Sequence, residues 1–340
     1  MSATATIPKP KTKKPEVTDA NALEVVSVGI VVADCVARPV LKNPEPGRLE
    51  LVDSIGLYSG GSAASTGYGL ARFGIKTAVI GRVGFDGFGD FLVNEAQRHG
   101  ADSSLLIRDE TAETSASLVI VDGDGERSFI HAVGANANLV PSDIPLSVLK
   151  ARGAKILHVA GTFALPSMDG TDGTPTREVF KQAQKLGFTT SLDCVWDARG
   201  RWAEIIAPVL PFTDIFCPSI HEARAIAGLP EGATPQEIAE ALFVMGLRKI
   251  VALKMGPEGS FVMTCDGEQH FVGILEVPSI DGTGSGDAFI AGFLAGQIRG
   301  RNILESQKLG NAAGAMCVSH RGAMPGITNW DDLEVMAARL

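Results

Sequence analysis

Short β-branched apolar runs alternate with helical stretches along most of this chain, and that alternation restricts the fold more than any other feature. Leu23 to Ala33, LEVVSVGIVVA, reads as a strand buried on both faces. A glycine-rich turn, SGGSAAS, opens a helix running through Gly74, followed by a strand at Lys76–Arg82 and a helix at Phe88–His99. Further strands are expected to begin near Ile156, Thr189, Asp214 and Ile250, with helices near Thr176, Ile220, Pro235, Asp287 and Glu305. A helix between two strands carries the chain back to the same edge, so the strands lie parallel and helices cover both faces. The expected fold class is α/β: three layers, α/β/α, around a mostly parallel central sheet.

Two stretches do not fit that rhythm. KNPEPG marks a turn, and LELVDSIGLY after it alternates like a half-exposed strand. Ala116–Val121 and Arg127–His131 flank Asp122-Gly123-Asp124-Gly125, a hairpin signal. These segments, about 37–58 and 114–132, are expected to form a small β lid. Ligands of open α/β sheets sit outside the carboxyl ends of the strands, so the lid should close there. It could equally pair with a second copy, which leaves a monomer or a homodimer through the lid.

Composition narrows the partners. A 45% hydrophobic chain of 340 residues can bury the core of one large domain, placed over 23–340. Residues 1–22 carry Lys9, Lys11, Lys13 and Lys14 among three prolines, with no apolar stretch behind them. They read as a disordered tail rather than a signal peptide. A net charge of −9 offers no general field for nucleic acid, and no run of about 18 apolar residues could span a membrane. Five scattered cysteines without a C-x-x-C favour neither disulfides nor a thiolate zinc site; buried thiols in a reducing cytoplasm are expected.

The chemistry concentrates in Val277–Gly296, VPSIDGTGSGDAFIAGFLAG. Glycines at 282, 284 and 286 let the backbone turn its N–H groups toward one point, and the following helix adds its positive end. Such a loop receives an anion, most plausibly phosphate. Asp287 would repel that ligand, unless it faces a substrate hydroxyl and takes its proton while phosphate sits on the N–H groups. On spacing alone an ordinary helix N-cap explains it as well. No G-x-x-x-x-G-K-[ST] is present, and no G-x-G-x-x-G follows the first strand, which argues against P-loop and dinucleotide folds.

DGTGSGDAFIAGFLAG resembles the C-terminal signature of the ribokinase-like (PfkB) carbohydrate kinases. The stretch from SGGSAASTGYGLARFGIKTAVIGRVGFDGFGD through HGAD resembles their N-terminal one, some 200 residues earlier. The resemblance extends from Val25 to about Asp332. It implies that Asp287 is the catalytic base, and that Gly284, Ser285 and Gly286 form an anion hole for the transferred phosphoryl group. It implies substrate contacts at Asp34, Gly60, Gly61, Ser65 and Asn136. Family members commonly carry Asn where this chain has Ser62 or Ser65, so the usual sugar contact is altered. Nucleotide contacts are implied at Lys254, Gly256, Gly259, Thr283 and Asn311. Glu222 is implied to organise Mg²⁺ through water, although Ser219 replaces the usual Asn of that N-x-x-E element. Asp281, Thr283, Cys317 and Gly322 match a monovalent-cation loop, which would hold K⁺. Arg127 is open between meeting an acidic substrate and lying solvated on its hairpin. Asp193 is a phosphate- or metal-side candidate, and Trp196 and Trp202 are core or pocket wall.

The resemblance therefore implies a cytoplasmic ATP- and Mg²⁺-dependent kinase acting on a hydroxyl of a small sugar, sugar acid or cyclitol. Adenosine- and inosine-type nucleoside kinases share these signatures and form the alternative. A sugar or nucleotide binder with weak turnover is the reading from a different class.

Overall fold

The computed structural model describes residues 22–42, 44–320, 322, 324 and 326–340. The expected tail, apart from Ala22, lies outside them. The first part of the chain runs β1 (Val25–Gly29), β2 (Val32–Arg38), β3 (Ser54–Gly60), α1 (Ser62–Arg72), β4 (Thr77–Gly84), α2 (Gly87–Arg98), β5 (Leu106–Asp109), β6 (Ala116–Val121) and β7 (Arg127–Ala132). Next come α3 (Leu146–Ala151), β8 (Ile156–Thr162), α4 (Pro166–Asp169), α5 (Thr174–Lys185), β9 (Thr189–Cys194), α6 (Trp202–Ile206), β10 (Ile215–Phe216), α7 (Ile220–Ala227) and α8 (Pro235–Val244). The chain closes with β11 (Ile250–Lys254), β12 (Ser260–Thr264), β13 (Gln269–Val272), α9 (Ser285–Ile298), α10 (Ile303–Val318) and α11 (Trp330–Ala337).

Nine strands form the large sheet in the order β13-β12-β11-β10-β9-β8-β1-β4-β5. From β5 to β11 every pairing is parallel, and the β11-β12-β13 edge is antiparallel. Successive residues of β1 point to opposite faces, so Val25 and Val26 belong to different apolar clusters. One cluster gathers Tyr68, Phe289 and Phe293 from α1 and α9, with Phe73 just after α1; the other gathers Phe180, Leu242 and Ile226 from α5, α8 and α7. These are the two interfaces of a three-layer α/β/α domain.

The expected Leu23–Ala33 strand divides in two. β1 ends at Gly29, whose φ of 144° suits only glycine and where a Cβ would lie 1.8 Å from the Ala160 carbonyl oxygen. The chain then turns out of the large sheet, and β2 starts a second sheet in the order β3-β2-β6-β7. Hydropathy missed the break because Val31 and Val32 stay buried where the sheets meet. Asn136 staples that turn: its amide Nδ2 donates to the Val31 carbonyl at 3.1 Å, and its Oδ1 accepts the Val31 N–H at 3.2 Å. The small sheet therefore takes in 32–38 and 54–60, earlier than the expected 37–58, together with 116–121 and 127–132. Strands β5, β12 and β13 and helices α3, α4, α6 and α11 were not anticipated; β13 is short, polar and mostly exposed, without an apolar pattern to betray it.

The small sheet has two unlike faces. Val36, Val119 and Val121 are buried on one, with Tyr58 packed against them. On the other, Leu57, Cys35, Leu118 and Ile130 lie in register across all four strands. Leu118 is 44% and Ile130 63% exposed, a continuous apolar row facing outward.

Candidate active site

The segment before α9 is shaped by Asp281. Its carboxylate accepts the N–H of Thr283 at 2.8 Å and of Gly322 at 3.1 Å, while Ile280 and Asp281 donate their N–H groups to Val318 at 2.7 and 3.1 Å. Gly284 then adopts φ 75°, and α9 starts at Ser285. Residues 288–296 of α9 are buried without interruption, which anchors the helix all round. Its first in-helix bond runs from Ala288 to Gly284 at 2.8 Å, so the N–H groups of the first turn have no partner within the helix. Asp287 lies in that turn, and α1 supports it: the Thr66 hydroxyl donates to the Asp287 carbonyl at 3.3 Å.

Asp287 opens on a cavity of about 330 Å³ at the carboxyl ends of the parallel strands. Asp193 at the end of β9, Lys254 at the end of β11 and Glu222 in α7 line its floor with it. Asp34, Ser117 and Phe129 of the small sheet line the opposite wall, and Gly61 and Ser62 connect the two. Ser62 Oγ is buried and has no hydrogen-bond partner among the described residues. Trp196, 63% exposed, stands at the rim and packs edge-on against Trp202 at 4.9 Å.

Charge on this floor is crowded. Lys254 Nζ donates to Asp193 at 2.8 Å. Burial works against the ammonium, yet Asp193 and Glu222 outweigh it and hold Lys254 above its ordinary value, so it stays charged. Burial pushes Asp193 up to about 7, with Glu222 and Asp287 adding to it and Lys254 opposing. Burial likewise pushes Asp287 up to about 6; Lys254 and the facing Ser65 hydroxyl oppose the rise and Glu222 adds to it. Asp34 is also raised by burial, against a hydrogen bond from Ser117.

The structure thus brings Asp287, Asp34, Gly61, Lys254 and Glu222 around one cavity; Gly284, Ser285 and Gly286 lead into Asp287 but are not among the cavity's lining residues, and a Cβ on Gly286 would lie 3.5 Å from Lys254 Nζ. It gives other expected residues different tasks. Ser65 faces Asp287 rather than the cavity wall. A Cβ on Gly60 would lie 2.1 Å from Asp34 Oδ2, so Gly60 makes room for that carboxylate. Asn136 is spent on Val31. Asn311 accepts from the Ser260 hydroxyl at 2.8 Å and donates to the Val272 and Gly273 carbonyls at 2.9 and 2.8 Å, binding α10 to the β12–β13 edge. Gly259, at φ 100°, admits Val272 beside it, while Gly256 at φ 59° is open to space in the turn after Lys254.

Glu222 also closes a capping box, its Oε2 accepting the Ser219 N–H at 2.7 Å. No group of three or more metal-ligating side chains occurs among the described residues. Carboxylates of Glu222, Asp193 and Asp287 around one cavity nevertheless fit a hard cation held largely through water and phosphate. The expected monovalent-cation loop already holds a cation of the protein. Arg127 crosses from β7 to Asp281 and to the Thr283 hydroxyl, and the Cys317 thiol donates to the Thr283 carbonyl at 3.2 Å. Arg127 is thus neither solvated nor in the cavity. Sequence reasoning did not single out Ser117 and Val195 as lining residues; Ser117 lies beside Asp34 in the β2–β6 register, a pairing visible only once the sheet is formed.

The family model for pfkB family carbohydrate kinases matches residues 22–330. The chain belongs to that family. This kinase is 27% identical over 297 residues to a 2-dehydro-3-deoxygluconokinase of Bacillus subtilis, covering 85% of this chain and 89% of the relative. It is 27% identical over 322 residues to fructokinase-2 of Zea mays, covering 89% and 90%. Among solved structures, the Arabidopsis thaliana ribokinase complexed with ribose and ATP superposes with a TM-score of 0.80 at 25% identity, over 93% of this chain and 99% of that one. The Thermotoga maritima ribokinase matches with a TM-score of 0.77 at 23% identity, over 93% and 99%. The protein is an ATP-dependent carbohydrate kinase with the ribokinase-like fold. No helix among its described residues is long and apolar enough to cross a membrane.

Proposed function

We propose that this kinase transfers the terminal phosphoryl group of ATP to a hydroxyl of a sugar, sugar acid or cyclitol, with Asp287 as general base. One observation carries the reading: Asp287, in the first turn of α9, lies at one end of a cavity whose far wall presents Asp34, and the Gly284-Ser285-Gly286 backbone leads directly into it. The Asp34 carboxylate can accept two hydroxyls of a polyol and hold a third toward Asp287. Asp287 removes that proton as the oxygen attacks, and the backbone at Gly284, Ser285 and Gly286 stabilises charge on the moving group. Lys254 adds a fixed positive charge beside it. Mg²⁺, when bound with ATP, neutralises phosphate charge, and Glu222 and Asp193 would hold its water. Support for both ligands comes from relatives in fold, one solved with ribose and ATP and an Escherichia coli neighbour of TM-score 0.78 and 23% identity solved with ATP and Mg²⁺. The sugar and sugar-acid classes follow the named relatives, a fructokinase and a 2-dehydro-3-deoxygluconokinase.

Exposed Phe129 and Trp196 on the cavity favour a second reading, a nucleoside whose base rests on an aromatic surface. An ADP-release screen across ribose, fructose, 2-keto-3-deoxygluconate, myo-inositol and nucleosides separates the two. Release above the ATP-only background with none of them would sink both and leave a binder.

The Asp287 value gives a pH prediction. The base works deprotonated, so kcat/KM should fall about tenfold per unit below about pH 6 and level above it. A profile flat down to pH 4.5 would reject Asp287 as the base.

The outward row Leu57, Cys35, Leu118 and Ile130 supports pairing of two copies through the small sheet. Sedimentation should show a dimer that Leu118→Lys converts to monomer with the cavity intact. A wild-type chain that stays monomeric at high concentration removes the idea.

A further inference from the structure

We propose that Arg127 is a positioning residue that locks the phosphate-facing loop when the small sheet sits over the cavity, acting through Asp281 and Thr283. The inference rests on the kinase reading above, because it gives the loop before α9 its purpose. Arg127 opens β7 in the small sheet, whereas Asp281 and Thr283 belong to the segment that sets up α9. The guanidinium reaches both at once, one nitrogen on Asp281 Oδ1 and another on the Thr283 hydroxyl. Its side chain is 23% exposed and that of Asp281 only 5%, so the pair is shielded from solvent.

The position of this pair explains what it can do. Asp281 Oδ1 also accepts the Thr283 N–H, and Oδ2 the Gly322 N–H. One carboxylate thus folds the turn that delivers Gly284, Ser285 and Gly286, and one guanidinium fixes that carboxylate and the neighbouring hydroxyl together. A planar fork with several donors can hold two acceptors in set directions, which a lysine cannot. Asp34 and Phe129 line both the main cavity and the small gap of about 30 Å³ where Arg127 meets Asp281. The same sheet therefore carries the acceptor wall and the latch.

Hydrogen exchange followed by mass spectrometry on the full chain tests this without turnover. In Arg127→Met, peptides covering 281–287 should exchange at least about tenfold faster, while those of β8 and β9 keep wild-type rates. Asp281→Asn retains an oxygen for the Thr283 N–H but loses both the ion pair and the acceptor for the Gly322 N–H, so its effect should be at least as large, and combining Arg127→Met with it should add little. Binding of the ATP analogue AMP-PNP with Mg²⁺ should weaken at least about tenfold in each variant. Millimolar guanidinium should restore part of it in Arg127→Gly, where a merely structural loss would not respond. Unchanged exchange at 281–287, or effects of the two single variants that simply add, would overturn the latch. Failure of every acceptor in the ADP-release screen strikes the kinase reading instead, and the exchange and AMP-PNP measurements still decide on Arg127.

Discussion

Asp287→Asn should lower kcat by about 10² to 10⁴ while leaving AMP-PNP affinity within a few-fold of wild type. The amide keeps the shape of the carboxylate but cannot take a proton, and the first-turn N–H groups of α9 remain where they are. The same substitution should raise stability at pH 7. Asp287 has a folded value near 6, above that of an unfolded aspartate, so the native state binds its proton more tightly. Stability therefore falls as pH rises from about 4 through about 6, and the ionised side chain is a burden above that window. Removing it should gain roughly 1 to 2 kcal/mol, after allowing for solvent reaching the cavity. Thermal melts at pH 7 and pH 4.5 check the sign: the gain should be present at the first and nearly vanish at the second. Near-normal turnover in the variant would end the base assignment.

Lys254→Met should be the most damaging single change to the fold of the site. Its ammonium is the cation set among Asp193, Glu222 and Asp287, and it donates to Asp193 across 2.8 Å in a nearly closed floor. Taking one member from a buried pair leaves an uncompensated charge, a loss of about 3 to 5 kcal/mol. Protonation of Asp193 will absorb part of that. Because Lys254 opposes the rise of Asp287, the acid limb of kcat/KM should also move above pH 6 in whatever folded variant is recovered. A limb that stays in place would mean Lys254 and Asp287 do not share a field.

The alternation of strands and helices made the three-layer architecture legible, since parallel strands buried on both faces leave an unbroken apolar run. The glycine loop and Asp287 were legible for a related reason: N–H groups, helix start and acid are neighbours in the chain. What escaped was set by tertiary contact. Ser65 and Asn136 are polar residues near the site in sequence, yet one faces the base and the other staples Val31, and only the packed backbone decides that. Arg127 and Asp281 stand 154 residues apart, and their pairing depends on how the hairpin lies over α9. The break after Gly29 was hidden because both sides of it are equally greasy.

That break has a wider meaning for how this family diversifies. The wall proposed to choose the acceptor follows a two-residue corner after β1, while the machinery proposed to move phosphate is built into the far end of the chain. Variation in the hairpins can therefore explore new diets without disturbing the engine, and exchanging them between relatives is a direct route to altered taste at preserved chemistry.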